Sequence, residues 1–349
     1  MTAAVAIAAL AAAVFAATAF GTGAVRRLLL GWAVLDHPNA RSSHAVATPR
    51  GGGLAVVPVV LAAWLAVALG VVPTHREAVF VCTAAAVLAA VSWMDDLRGL
   101  SAAFRLGTQA AAVALVLAAA PLPGPVFAGW LPAPLDVAAA GLLWLWFINL
   151  FNFMDGIDGI AGVETATLGL GVAVVAAIAG LGLGLPLFGL VMAAAALGFL
   201  VWNWPPARLF LGDVGSIPLG FLLGWLLLHL AASGQPVAAL ILPLYYLADA
   251  SITLARRTMR GARPWQAHRE HFYQRAVQAG VGHGWVVRRV LAVNMILMAL
   301  AALAALGHGG AALAAACVAV GILLMVLAPP KRVAAGPRSG SHDPPGKEP

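Results

Sequence analysis

The sequence predicts an all-α protein, a polytopic membrane bundle of about 11 transmembrane helices with its active site on the loops of one face. Three observations predict it. Of 349 residues, 62% are hydrophobic and only 9% charged, where a soluble domain carries about 25% charged. Runs rich in Ala, Leu and Val recur along the chain, each of about 20 residues and long enough as a helix to cross ~30 Å of hydrocarbon. The remaining charge gathers in alternate connections between those runs. A membrane β-barrel would need roughly ten-residue segments of alternating polarity, and the sequence has none.

The apolar runs place spans at 3–22, 54–72, 78–94, 106–121, 135–151, 163–181, 186–202, 217–233, 237–256, 286–306 and 311–328. The first run has no basic segment before it and carries Arg26 and Arg27 after it, so it reads as a permanent span rather than a cleaved signal. Connections 26–53, 95–105, 152–162, 203–216 and 256–289 hold nearly all the charge; 73–77, 122–134, 182–185, 234–236 and 307–310 are short or apolar. Of 20 Lys and Arg residues, Arg76 alone falls on the second side. The positive-inside rule therefore puts the charged loops in the cytoplasm and the N-terminus outside. An odd number of spans returns the tail inside, where Lys331 and Arg332 agree. Residues 1–328 read as one integral membrane domain, and the Pro-, Gly- and Ser-rich tail 329–349 as disordered.

Cys82 and Cys317 fit no zinc or disulfide spacing and read as small core residues. The net charge of +7 fits topology and anionic lipid, not nucleic acid. No internal repeat supports an inverted-repeat transporter.

Five segments of the charged face carry residues an inert loop would not need. The first holds Asp36, His37, Arg41, His44 and Arg50 before Gly51-Gly52-Gly53. Its arginines suit phosphate or lipid headgroups, and its glycines let backbone approach a ligand. The second is Asp95-Asp96 with Gly99-Leu100. Adjacent carboxylates repel, and a divalent cation or a shared proton is the usual remedy. The third runs from Asn152 to Gly162 and includes Asp155 and Asp158. As a helical turn or as a glycine-flanked loop, it presents two carboxylates and an amide to one polar ligand. It is neither an EF-hand nor a Walker loop. The fourth holds Asn203 to Arg208 and then Phe210-Leu211-Gly212-Asp213-Val214-Gly215-Ser216. Asp213 is sterically open to a metal-bound diphosphate, and Phe210 could stack on a base or anchor in lipid. The fifth follows Asp249 and Arg256-Arg257 and includes Arg260, Arg263 and His268-Arg269-Glu270-His271-Phe272-Tyr273-Gln274-Arg275. The arginines favour phosphate oxygens over zinc for this His-x-x-His. His75, His229, His283 and His308 read as structural.

In this order, over residues 26–290, the motifs resemble the polyprenyl-phosphate N-acetylhexosamine-1-phosphate transferases, glycosyltransferase family 4. The resemblance implies a bacterial plasma-membrane enzyme using Mg2+, with Mn2+ as a substitute. A UDP-linked N-acetyl sugar and undecaprenyl phosphate would be its substrates, and UMP and a lipid-diphosphate-sugar its products. A homodimer is compatible with the family. The implied metal ligands are Asp213 and Asp96. Asp95 or Asp96 would place the lipid phosphate, and general-base help there is small because a phosphate monoester is largely dianionic near pH 7. Asn152, Asp155 and Asp158 would hold the nucleotide, with Phe210 on the uracil. Asn203, His268 and His271 would line the diphosphate, with Arg50, Arg269 and Arg275 as further phosphate contacts.

The peptidoglycan branch of this superfamily has adjacent histidines in the fifth segment. The pattern His268-Arg269-Glu270-His271 instead resembles the branch that starts O-antigen and other surface polysaccharides. Two rivals fit less well. A transporter needs ionisable residues near mid-membrane, and only Asp249 approaches that. A CDP-alcohol phosphotransferase needs an aspartate pattern on contiguous helices that is not matched around Asp155.

Overall fold

The computed structural model describes residues 3–36, 46–71, 75–263 and 268–328. His37, Arg41, His44 and the tail from 329 lie outside them. The chain forms α1 (Ala3–Gly31), β1 (Leu35–Asp36), β2 (Thr48–Pro49), α2 (Gly53–Val71), α3 (His75–Arg98), α4 (Ala102–Ala119), α5 (Ala133–Met154), α6 (Ile160–Ile178) and α7 (Gly184–Asn203). It continues through α8 (Asp213–Ala232), α9 (Pro236–Ile241), α10 (Leu244–Met259), α11 (Phe272–Gln278), α12 (His283–Leu303) and α13 (Gly309–Leu327). The two short strands pair antiparallel, Leu35 with Pro49 and Asp36 with Thr48.

Among the described residues, nine stretches are long and apolar enough to cross a membrane. Eight are α1 to α8, and the ninth, His283–Leu327, is interrupted at Gly307 (φ 97°) to give α12 and α13. Two expectations change. The first helix runs to Gly31, so Arg26 and Arg27 are helical. Arg26 Nε donates to Arg208 O at 3.1 Å. The expected span 237–256 is broken between α9 and α10 at Leu242-Pro243, because proline offers no N–H and disfavours helix at the residue before it.

The centre of the bundle is α8, in which every residue from Val214 to Leu228 is buried. In hydrocarbon each polar N–H needs a partner, and the buried indoles find backbone carbonyls. Trp144 Nε1 donates to Phe221 O at 2.8 Å, and Trp64 Nε1 to Phe188 O at 3.1 Å. Cys82 is buried as expected, whereas Cys317 lies on the outside of the bundle. The N-terminus of α8, the C-terminal ends of α3 and α5, and the segment entering α2 converge at one end, where the acidic motifs meet.

Candidate active site

Glycines bring the entry to α2 against the entry to α8. Gly51 N and Gly52 N donate to Phe210 O at 3.1 and 2.8 Å, and Gly53 N to Leu211 O at 2.9 Å. A Cβ on Gly53 would stand 2.3 Å from the Gly215 backbone. The glycine run, expected to admit a ligand, instead packs on its own chain, and it fixes Arg50 beside the first turn of α8.

That turn begins at Asp213, and the side chain that caps it comes from another helix. Asp96 at the end of α3 accepts from Asp213 N (3.2 Å) and Val214 N (2.9 Å). Free amides and the helix dipole both favour a carboxylate there. Gly212, at φ 75°, makes room, since a Cβ would lie 2.9 Å from Asp96 Oδ2. Arg50 Nη2 then binds Asp96 Oδ1 at 2.8 Å and Asp213 Oδ1 at 2.7 Å.

Asp95 turns the other way. Its Oδ1 accepts from Leu100 N at 2.6 Å and its Oδ2 meets Arg105 Nη1 at 2.8 Å. Arg105 also lies 3.6 Å from Asp213 Oδ2. The neighbouring carboxylates are thus each paired with a separate arginine. Both arginines stay open, with side chains 37% and 40% exposed, while Asp96 and Asp95 are only 2% and 8% exposed. Asn152 completes the knot, donating to Asp213 Oδ1 (3.1 Å) and Ser216 Oγ (2.8 Å).

The other sequence candidates take distinct places. Asp155 is half-buried beside the knot. Enclosure pushes its carboxyl well above the ordinary value; Arg50 opposes this, and Asp213, Asp96 and Asp158 reinforce it. Asp158 is buried, with Oδ2 accepting from Ala207 N at 3.0 Å and Oδ1 3.2 Å from His283 Nδ1. His283, read from sequence as structural, therefore belongs to this end of the bundle. Asn203 is buried and spans two loops, accepting from Gly159 N and donating to Leu209 O, both at 2.9 Å. Phe210 is half-buried, and its backbone ties 49–52 to 210.

His271 caps α11 and is buried, its ring 5.0 Å from that of His268. Burial, with the charges of His271 and Arg257, lowers His268 to about 4, although Glu270 and Asp249 pull it upward. Glu270 binds Arg257 and, at 3.3 Å, Arg260. Arg269 and Arg275 are half-buried on the same segment. Tyr273 Oη donates to Phe153 O at 3.0 Å, docking the segment on the Asp155 loop. Arg105 had no sequence signal beyond its place in a charged connection, and Tyr273 none beyond its place in the fifth segment.

From the knot a groove of about 410 Å³ descends between α3, α4 and α5. Asp95, Arg105, Asn152 and Asp213 line its polar end, and Leu88, Val91, Leu142, Leu145 and Trp146 its wall. At 1.5 Å rise per residue, Asn152 to Leu142 spans ~15 Å of depth. A charged mouth over an apolar wall suits a long amphiphile with an anionic head. Among the described residues, no three His, Cys, Asp or Glu side chains are grouped to hold a metal ion. The hard-oxygen chemistry of Asp213, 18% exposed, suits magnesium. Asp96 is already committed to Arg50 and α8.

Residues 78–231 match the model of Glycosyl transferase family 4. The chain is 31% identical over 303 residues to decaprenyl-phosphate N-acetylglucosaminephosphotransferase of Mycolicibacterium smegmatis, covering 76% of this chain and 74% of that protein. It is 27% identical over 290 residues to the probable undecaprenyl-phosphate N-acetylglucosaminyl 1-phosphate transferase of Bacillus subtilis, covering 79% and 78%. With phospho-N-acetylmuramoyl-pentapeptide-transferase of Picosynechococcus it shares 32% identity over 212 residues, 56% of each chain.

Proposed function

The chain belongs to glycosyl transferase family 4 and is a membrane sugar-1-phosphate transferase, and from that premise we propose that its donor is a UDP-N-acetylaminosugar and its acceptor undecaprenyl phosphate. An acceptor phosphate oxygen attacks the sugar-side phosphorus. The bond from that phosphorus to the bridging oxygen breaks, UMP leaves with that oxygen, and undecaprenyl-diphosphate-sugar remains. The observation that carries this reading is the groove whose polar end holds Arg105, Asn152 and Asp213 beside an apolar wall, with Arg50 bound to Asp213 at its head.

Two polyanions must meet, so positioning and charge neutralisation are the main tasks. Arg50 and Arg105 are exposed enough to exchange part of their carboxylate contacts for phosphate oxygens, while buried Asp95 and Asp96 keep the two guanidiniums in place. Arg105, lining the groove, meets the acceptor phosphate. Arg50, Asn152 and Asp155 face the donor, Phe210 stacks on its base, and His268, His271, Arg269 and Arg275 approach its diphosphate. Asp158 and Asn203 support by ordering the loops around it. Asp213 would hold Mg2+, or Mn2+ in its place, which when bound would supply neutralising charge to the diphosphate.

The relatives named for N-acetylglucosaminyl transfer align over about three quarters of this chain, and the muramoyl-pentapeptide relative over 56%. With His268-Arg269-Glu270-His271 in place of adjacent histidines, this favours the first membrane step of O-antigen or another envelope polysaccharide. The charged loops face the cytoplasm, where the nucleotide is. Purified protein with undecaprenyl phosphate, Mg2+ and a panel of UDP-sugars tests the proposal: UMP release with label moving to lipid supports it, and no exchange across the panel sinks it. Cysteine labelling tests the topology, with position 76 reacting only from outside and position 260 only from inside.

A further inference from the structure

Beside the histidine segment lies a carboxylate to which the transfer reaction assigns no task. Asp249 on α10 is fully enclosed. On its own helix, one turn to either side, Tyr245 Oη (3.4 Å) and Thr253 Oγ1 (3.3 Å) donate to it. From across the interface come Phe272 N (3.1 Å), Tyr273 N (3.4 Å) and, at 3.1 Å, His271 Nδ1. A buried carboxylate is costly unless it is hydrogen-bonded, and here five groups converge on one.

We propose that Asp249 is a positioning residue that fixes the imidazole of His271, and with it the His268–Arg275 segment, for the transfer reaction. Its activity arm rests on the reading of the site given above. The segment is held from two sides. Asp249 grips the first turn of α11 from below, and Tyr273 binds Phe153 O next to Asp155. A Cβ on Gly156 would meet Tyr273 Oη at 2.3 Å, so that loop and α11 are in direct contact. Any shift at Asp249 is passed to the Asp155 loop.

The carboxylate also selects a tautomer. An ionised carboxylate only accepts, so His271 carries its proton on Nδ1 and keeps the lone pair on Nε2. The Gln274 backbone N–H also donates to the His271 side chain in the cap. An N–H bond to an unprotonated Nδ1 would set a lone pair against Asp249 Oδ1, and the charge-assisted contact is the stronger of the two. Nε2 is then the ring's basic atom.

The first test needs no substrate. In 15N-histidine-labelled protein in nanodiscs, the signal lost in His271→Gln is assigned to His271. An Nδ1-protonated ring supports the proposal, and a neutral ring protonated on Nε2 overturns it. The second test is a double-mutant cycle on UMP release. Asp249→Asn keeps one oxygen, for the Phe272 amide at the Oδ1 position, while losing the charge and the second acceptor that meets Tyr273 N. It should lower kcat by about 10²-fold with the donor KM changed less than about threefold, and cost less than about threefold in the His271→Gln background. Equal losses in both backgrounds mean that Asp249 does not act through His271. Asp249→Glu should recover at least part of the activity that Asn loses. If the wild type turns over no donor, the reaction assignment fails, and the tautomer still decides the role of Asp249.

Discussion

Arg50 Nη2 lies 2.7 Å from Asp213 Oδ1 across 163 residues of chain, and the same nitrogen holds Asp96. One guanidinium therefore joins the entry to α2, the end of α3 and the start of α8. Lysine carries the charge but lacks the planar fork. Arg50→Lys should lower kcat/KM by roughly 10²-fold, the scale of losing one preorganised electrostatic contact. Arg50→Ala should lose more and also lower the Tm, because it leaves Asp96 and Asp213 without their shared partner. UMP release and thermal unfolding in detergent check both; wild-type kcat/KM in the lysine variant would remove Arg50 from substrate contact.

Asp213 is the most accessible of the three carboxylates of the knot, and Asn is close to it in shape. Asp213→Asn should cut turnover by more than about 10³-fold and flatten the dependence on Mg2+ concentration. Tm should stay within a few degrees, since the capping of α8 belongs to Asp96. Normal turnover would take Asp213 out of the chemistry.

The acidic motifs were legible in sequence because charge at a membrane boundary needs a reason. Their division of labour was not. Asp95 and Asp96 are adjacent and look equivalent, yet one closes the α3–α4 turn and the other caps a helix 117 residues away. That difference depends on helix rotation, which spacing does not reveal. The apolar runs located the helices well. The break at Leu242-Pro243 was missed because a proline inside an apolar run reads the same whether it kinks a span or ends it. Gly51-Gly52-Gly53 signalled close approach correctly, but a sequence does not say whether ligand or backbone approaches.

Gly53 supports a stability prediction. An added methyl there meets the Gly215 backbone, which cannot rotate away as a side chain can. Gly53→Ala should destabilise by about 1–3 kcal/mol or more and separate Arg50 from Asp213, lowering Tm and activity together. Gly70 in the same helix has nothing within 4 Å of its added Cβ. Gly70→Ala should leave activity unchanged and hold or raise the Tm, by up to ~1 kcal/mol of helix propensity. Equal behaviour of the two variants would mean that the contact at Gly53 is relieved by helix movement.

His268, lowered to about 4, is neutral in the folded protein at pH 7. The unfolded ring, near the ordinary 6.5, binds more protons between those two values, so stability rises with pH through this window. The sign is therefore loss of stability on acidification from about pH 6.5 toward 4. In His268→Gln the fall of Tm over that range should be shallower than in the wild type. Parallel curves would show that other groups control the acid limb.

The groove gives a prediction that separates head from tail. Lipid is already apolar, so a tail moving from bilayer to groove gains packing, not hydrophobic transfer. The expected effect is therefore modest, on the order of 1 kcal/mol or five- to tenfold in KM. Leu145 lines the wall about two turns of α5 below Asn152, so Leu145→Trp should fill the groove without reaching the knot. The KM for undecaprenyl phosphate should rise, while a short acceptor of two or three isoprene units should keep its kcat and KM within about twofold. If the long and short acceptors respond alike, the tail runs elsewhere and the groove serves only to hold Arg105 and Asp95 apart from lipid.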